Sequence, residues 1–330
     1  MTIFSIDVRN VNDGYYRTLQ AVESRGTRVD TRNGPAMSLQ GVFIANVRQP
    51  WERVLFDETR DCNPVFHLLE ACWMLAGRRD TAFVSQFNTN IINYSDDNEV
   101  FNAAYGHRWA EHFGYDQLSR AVEMLRKDPT SRRVVVSMWD GNIDLGADSL
   151  DLPCNLLICP RICNNRLNFT VYNRSNDAIF GCWGANAVHL TFLQEWMAAK
   201  LQVGIGEWVQ VSNDLHIYER HYYLLQAERN HHAHWQPWPG RQPLVCTGSS
   251  SYADTFRAEC LELCDGKTEG FSSPFLEETV EPMYASWRQW KAGDKKDALY
   301  IASCIEGADW RKVTMEWYDR RMNLPLMQQL

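Results

Sequence analysis

Residues 152–177 read LPCNLLICPRICNNRLNFTVYNRSND, and the neighbouring segments take their places relative to this one. Leu156 to Ile162 is an apolar, β-rich run. Leu167, Phe169 and Val171 alternate with polar neighbours, the period of a half-buried strand. Asn164-Asn165 between them reads as a two-residue turn, because Asn tolerates the left-handed backbone that tight hairpin turns require. The segment is therefore a hairpin with Cys154 at its entrance and Arg174, Ser175, Asn176 and Asp177 at its exit. A cysteine at the mouth of a strand can be a nucleophile where nearby cations stabilise its thiolate. In isolation, such a cysteine is more often a small buried hydrophobe.

Upstream, Ser131-Arg132-Arg133 opens a second β-rich run, Arg133 to Trp139. Strand alternation would send Arg132 and Arg133 to opposite faces, one to its own site and the other to a partner subunit. Arginine with an adjacent serine hydroxyl suits a phosphate monoester, although alone these are solvated strand-end charges. A helix is expected from about Asp116 to Lys127. Another begins at Pro64, where Phe66, Leu69, Trp73 and Ala76 share one stripe and Leu68, Cys72 and Leu75 another, up to Gly77. That helix is apolar nearly all round, hence buried, yet carries Glu70, a carboxylate costly to bury without a task or partner. Residues 78–104 are polar and irregular and end in Tyr105-Gly106-His107-Arg108-Trp109. Residues 1–64 mix short apolar runs with turn chemistry.

Downstream, a long helix is expected from about Asn186 to Leu201 and a strand from Trp208 through Val211. Beyond Tyr218 the composition shifts. Residues 231–240, with His231, His232 and His234, read as a surface connector and not as a metal site. Cys260 and Cys264 share a helical face, but without a second pair they do not make a zinc site. Cys159 and Cys163 share a strand face too far apart to bridge. Residues 275–322 read as two or three helices anchored by Trp287, Trp290, Trp310 and Trp317. The chain thus divides near 240 into an α+β domain, 1–240, and a helical extension, 241–330, docked on it.

Composition excludes more than it selects. The 330 residues are 45% hydrophobic and 22% charged, enough to bury a sizeable core. A net charge of −8 argues against a general polyanion binder, while leaving room for a small phosphorylated substrate met by a few arginines. No apolar run approaches the roughly 18 residues of a membrane span. The N-terminal Met1-Thr2-Ile3-Phe4-Ser5-Ile6-Asp7 meets a charge too early for a secretory signal. Ten scattered cysteines read as reduced thiols, and the expected location is cytoplasmic.

Several blocks, in this order, resemble the thymidylate synthase family, which includes the pyrimidine nucleotide hydroxymethylases. They are Leu69 to Gly77, Tyr105 to Trp109, Asp128 to Arg133, Pro153-Cys154, Arg174 to Asp177, Gly181, Asn186 and Asp214 to Tyr218. The resemblance implies a mixed or antiparallel sheet with packed helices and 5,10-methylenetetrahydrofolate as co-substrate. It implies Cys154 as the nucleophile that attacks C6 of a pyrimidine nucleoside monophosphate. Arg174 and Ser175, with Arg132 and Arg133 from the other subunit of a homodimer, resemble the phosphate clamp and would help keep Cys154 as thiolate. Arg32 best completes that clamp, with Arg25 as rival. His216 and Tyr218 resemble the pair that bonds the sugar 3′-hydroxyl, Asn186 the base-reading amide, and Asp177 with Gly181 the pterin side. Glu70 resembles the carboxylate that organises water and protons, and Tyr105 the residue near C5.

Three departures bear on the reaction. Asn155 follows Cys154 where the family has histidine, so the water near C4 must be held differently. One extra residue lies between Gly181 and Asn186, so the folate-side wall is rebuilt. Residues 88–104 contain no Trp, leaving Tyr94 as the stand-in for the ring that lies against folate in methylating members, and the C-terminus lacks their closing tail. Water admitted to the reactive methylene gives a hydroxymethyl product, so hydroxymethyl transfer is favoured over methyl transfer. Asn186 leaves uracil ahead of cytosine, and deoxyribose is the default sugar. The competing readings are thymidylate synthase proper and a nucleotide- or RNA-binding pseudoenzyme.

Overall fold

In the computed structural model, residues 2–227 and 250–322 are described. The hairpin is present as β6 (Asn155–Cys163) and β7 (Arg166–Asn173). Asn164 and Asn165 turn it with φ of 51° and 56°. Around it lie β1 (Thr2–Val8), β4 (Gly41–Val47), β5 (Val136–Ser137) and β9 (Gly204–Ser212). The sheet order is β1-β4-β9-β7-β6-β5, with β1–β4 and β7–β9 parallel and the other pairs antiparallel. A second sheet joins β2 (Thr27–Thr31), β3 (Gly34–Ser38), β10 (Leu215–Tyr218) and β8 (Asn176–Asp177) in the order β2-β3-β10-β8. The mixed sheets and packed helices are the expected α+β architecture.

Four helices position the site from behind the sheet. Asn10 caps α1 (Val11–Arg25), which buries Val11, Tyr15, Leu19 and Val22 on one stripe. Asn63 caps α2 (Pro64–Leu75), with proline in the first turn, where its missing N–H costs nothing. After the short helices α3 (Thr81–Val84) and α4 (Tyr105–His107), Asp116 caps α5 (Gln117–Lys127). The long helix α6 (Asn186–Leu201) is buried from Asn186 to Ala198, which explains why its apolar residues run nearly all round it. Fully buried Phe43, Phe169 and Phe192 each contribute about 1.5–3 kcal/mol to this core.

After the short α7 (Tyr223–Ala227), the C-terminal residues form α8 (Ser250–Cys264), α9 (Glu281–Ala292), α10 (Lys295–Ser303) and α11 (Ala308–Met322). They share one continuous apolar cluster with the sheet. Trp196 Nε1 of α6 donates to Ala253 O of α8 at 2.8 Å, and Phe275 meets Phe192 edge to face at 5.8 Å. Trp287 Nε1 reaches Gln86 O at 3.1 Å, so this layer also braces the start of the 88–104 loop. Trp310 and Trp317 are buried, and Trp290 stacks on Tyr318 at 4.5 Å. The 231–240 connector and the boundary near 240 lie outside the described residues.

Two expectations need correction. Helix α1 was not anticipated, although its stripe from Val11 to Val22 was legible at helical spacing. The strand expected from Arg133 to Trp139 shrinks to Val136–Ser137, which pair with Ile158 and Leu157. Arg132 and Arg133 precede it in irregular backbone and are both exposed, so strand alternation does not separate them. β6 runs on to Cys163, but only Val136 and Ser137 pair with it, so residues 133–135 join no ladder.

Candidate active site

The two sheets bring the predicted residues to one place. Cys154 stands just before β6, Arg174 just after β7, and Asp177 in β8. His216 of β10 pairs with Asp177 on one side and Ser38 of β3 on the other, which aligns both with the small sheet. Arg32 occupies the turn between β2 and β3, where Nη1 donates to Ser149 O at 3.4 Å. Arg25, the rival, ends α1 with its guanidinium over the Phe4 ring.

Around Cys154, Arg174 donates from Nε to Pro153 O at 2.9 Å and from Nη2 to Leu152 O at 3.0 Å. The same Nη2 lies 3.7 Å from Cys154 Sγ. The expected thiolate does not follow in the isolated chain. Burial pushes the Cys154 thiol up, against the opposing pull of Arg174 and then Arg32, while Asp151 adds to the rise. Two arginines do not offset the desolvation of a buried sulfur here. The side chains of Arg132 and Arg133 make no hydrogen bond or ion pair among the described residues, and Ser175 Oγ likewise has no partner there.

Tyr105 is seated against the Cys154 loop. Its phenolic oxygen accepts from the Cys154 amide at 3.2 Å and the Asn155 amide at 3.3 Å. Burial raises its ionisation, so it stays a phenol. Gly106 permits this seat, because a Cβ there would lie 2.2 Å from Met74 O at the end of α2. Arg108 fixes the turn from below through a buried pair with Asp144, at 2.8 and 2.9 Å, and a bond to Asn102 O.

The base-reading candidate sits in a chain of amides. Asn155 Nδ2 donates to Asn186 Oδ1 at 2.9 Å, and Asn186 Nδ2 donates to Asn176 Oδ1 at 3.2 Å. Asn176 Nδ2 continues to Ser212 Oγ at 3.0 Å and Gln210 Oε1 at 3.2 Å. Each end of Asn186 is used once, leaving one N–H and one lone pair for a ligand. Asn155 Oδ1 is buried without a partner. Gly181 borders the chain, where a Cβ would come within 2.9 Å of Asn176 Oδ1.

Behind this chain, Glu70 of α2 lies beneath α6, with Oε2 2.9 Å from His189 Nε2. His216 Nδ1 is 3.4 Å from Asp214 Oδ2, and its ring meets Tyr218 at 4.8 Å. Tyr218 Oη accepts from Asn33 Nδ2 at 3.3 Å, which ties the sugar pair to the Arg32 turn.

The segment before Asn186 takes a distinctive local form. Residues Ala178–Ala185 wind into a π-helical turn, which accommodates one added residue per turn. Trp183 thereby goes into the core, its Nε1 on Thr18 Oγ1 at 2.8 Å and its ring against Gly14. On the open side, Asp177 Oδ1 caps the turn by accepting from Ile179 and Phe180 amides at 2.8 and 3.3 Å. Asp177 Oδ2 accepts nothing among the described residues. Phe180 is 45% exposed beside it, under the Arg60 guanidinium. A carboxylate oxygen beside an exposed ring suits the amino-pyrimidine edge and flat face of a pterin.

Asp151 and Asp96 escaped the sequence reading. Asp96 accepts from Asn102 Nδ2, Ser149 Oγ and the Leu150 amide at 2.8, 2.6 and 2.9 Å. Asp151 Oδ2 accepts from the Ala103 amide at 2.8 Å, and burial pushes its carboxyl up to about 6. Together they lace the 88–104 loop to the Cys154 loop. Tyr94 on that loop is 57% exposed. Among the described residues no cluster of three His, Cys, Asp or Glu could hold a metal, and no helix is long and apolar enough to cross a membrane. His231, His232 and His234 lie outside the described residues.

A cysteine beside arginine, a phenol, an amide chain and a buried carboxylate thus lie together in one place. Residues 13–239 match the family model described as thymidylate synthase. A deoxyuridylate hydroxymethyltransferase of Pseudomonas phage M6 is 35% identical over 334 aligned residues, covering 96% of this chain and 94% of that protein. One of Bacillus phage SP01 is 35% identical over 215 residues, 62% of this chain and 56% of the relative. A putative thymidylate synthase of Methanothermobacter marburgensis is 28% identical, covering 66% of this chain and 93% of the relative. The chain belongs to the thymidylate synthase family and is a one-carbon transferase. An alignment spanning 96% of the chain runs through the C-terminal helices, which the family model leaves out.

Proposed function

We propose that this chain hydroxymethylates C5 of deoxyuridine 5′-monophosphate, working as a homodimer in the cytoplasm. The observation that carries the choice of product is the 88–104 loop, which has Tyr94 but no Trp. The names borne by the phage relatives point the same way. The free N–H and lone pair of Asn186 favour uracil, whose O4 accepts and whose N3–H donates.

Cys154 Sγ attacks C6 and makes C5 nucleophilic. Bound 5,10-methylenetetrahydrofolate supplies the methylene carbon. Arg174, Ser175 and Arg32 hold the phosphate, joined by Arg132 and Arg133 of a second subunit. The side chains of Arg132 and Arg133, exposed and without a partner among the described residues, support that contribution. A dianionic phosphate at Arg174 and Arg32 binds the same cations that act on Cys154, so the additional arginines matter for the thiolate. His216 and Tyr218 bond the 3′-hydroxyl, Asp177 and Gly181 border the pterin, and Tyr105 stands near C5. Asn155 holds Asn186 in register with the base. Glu70 takes the proton released as water adds to the exocyclic carbon. Residues 1–240 would carry all of this, with 241–330 as a brace.

The test is incubation with dUMP, dCMP or CMP and methylenetetrahydrofolate, followed by product mass and dihydrofolate absorbance. A dUMP product heavier by CH₂O, without dihydrofolate, is expected. A methyl product with dihydrofolate would make the chain a thymidylate synthase. No release of tritium from C5 under any folate condition would leave a nucleotide- or RNA-binding pseudoenzyme.

A further inference from the structure

Glu70 is approached from behind by a side chain that no sequence motif singled out. His189 stands three residues after Asn186 on α6, on the adjoining part of the same helical face. Its Nε2 lies 2.9 Å from Glu70 Oε2, and its side chain is 2% exposed. The Glu70 side chain retains 10% exposure, so the carboxylate is backed by imidazole yet open to the pocket. Other polar groups nearby do not fill this position. Asn155 spends its N–H on Asn186, and Arg60 is turned to Ile179 O and the Phe180 ring. His67, one turn before Glu70 on α2, is kept neutral, with burial, Arg60 and His189 all pushing its ionisation down to about 3. Both His189 ring nitrogens and Glu70 Oε2 are buried without a hydrogen bond among the described residues, so the 2.9 Å approach of Nε2 to Oε2 is an ion-pair contact whose N–H is not yet aligned.

We propose that His189 is the positioning residue of Glu70: a small ring rotation brings its Nε2–H onto Oε2, 2.9 Å away, so that the carboxylate is aimed at the water beside the exocyclic carbon. The inference rests on the hydroxymethyl reading above. In that step the water oxygen bonds to the exocyclic carbon and its proton passes to Glu70. The exocyclic π pair becomes the C5=C6 bond, and the C6–S pair leaves with Cys154 as thiolate. One turn of α6 thus serves both functions: Asn186 reads the base, and His189 sets the carboxylate relative to it.

Two measurements test this. In ¹⁵N-histidine-labelled protein without nucleotide or folate, the His189 ring should show the Nε2–H tautomer, identified by its loss in His189→Gln. Glu70→Ala should shift or exchange-broaden that N–H resonance. An Nδ1–H tautomer, or a resonance indifferent to Glu70→Ala, would overturn the pairing. In turnover, His189→Leu should lower kcat for hydroxymethyl product on the order of 100-fold without weakening dUMP binding. His189→Gln, whose amide N–H reaches the same point, should restore most of it. Equal activity in His189→Leu and the unchanged protein would overturn the positioning role, and if the leucine variant fails to fold, failure of His189→Gln to exceed His189→Ala does the same. The resonance measurement needs no turnover, so an unchanged protein that makes no hydroxymethyl product sinks the proposed reaction and not the pairing.

Discussion

Tyr105 Oη accepts the backbone N–H of Cys154 at 3.2 Å, so the phenol from one motif fixes the loop that carries the cysteine of another. Because the oxygen also receives the Asn155 amide, Tyr105→Phe leaves two N–H groups without their acceptor. Each such loss costs about 1–3 kcal/mol when the group stays buried. The variant should melt several degrees lower and release C5 tritium at least about tenfold more slowly, since 1.4 kcal/mol is a factor of ten. An unchanged melting temperature together with unchanged tritium release would refute the seating role.

Cys154 should alkylate as a sluggish thiol in the nucleotide-free monomer, because burial outweighs Arg174 and Arg32. Peptide-resolved mass spectrometry against pH separates it from exposed Cys304. Arg174→Gln should move the onset of Cys154 alkylation to still higher pH, since a cation 3.7 Å from the sulfur is removed. Cys154→Ala should abolish tritium exchange and preserve dUMP binding. Full activity in that variant would dismiss it as the nucleophile.

Gly181→Ala should disturb the amide chain, since the new methyl comes within 2.9 Å of Asn176 Oδ1. Asn155→Ala removes the donor that holds Asn186 Oδ1, freeing the amide to turn over. Both should reduce the preference for dUMP over dCMP, by about tenfold for one lost hydrogen-bond alignment of about 1.4 kcal/mol. Competition of the two nucleotides, with products counted by mass, reads this directly, and an unaltered ratio in both variants would refute orientation by the chain.

Asp151 makes stability depend on pH. Its carboxyl holds a proton to about 6 in the fold, against the usual 3.8 in an unfolded chain. The folded state therefore binds more protons than the unfolded one between those values. The stability this group contributes is fully present below about pH 4 and is lost as pH rises through about 6. Asp151→Asn keeps an oxygen for the Ala103 amide and removes the titration. The variant should therefore gain on the unchanged protein as pH rises from 4 to 7, by on the order of 2 kcal/mol, allowing for partial exposure. Urea unfolding at pH 4 and pH 7 checks the sign, and a variant that loses ground at pH 7 would contradict it.

Local pattern carried much of this protein into view. The Asn164-Asn165 turn, the alternation at Leu167, Phe169 and Val171, and the helices from Pro64 and Asn186 all announce themselves through periods and caps that act within a few residues. Glu70 stood out for the same reason, since a charge in an apolar stripe violates the local pattern. The stripe of α1 was equally legible and was missed among the turn signals around it. Arg133 to Val135 misled because β propensity makes a strand only where a neighbour pairs with it, and β6 does so at Val136 and Ser137 alone.

What no local pattern holds is which side chains meet. Arg32 is only the better of two candidates in the sequence until the β2–β3 turn carries it to the Cys154 loop and α1 carries Arg25 to Phe4. Asp151, Asp96 and His189 look like ordinary polar residues until folding brings segments far apart in the chain within hydrogen-bond reach. The chain order thus specified the elements and the chemical groups, because propensity and periodicity are short-range properties. The partner of Glu70, the path of Trp183 into the core and the state of the Cys154 thiol came from packing, because burial and distance exist only between elements already assembled.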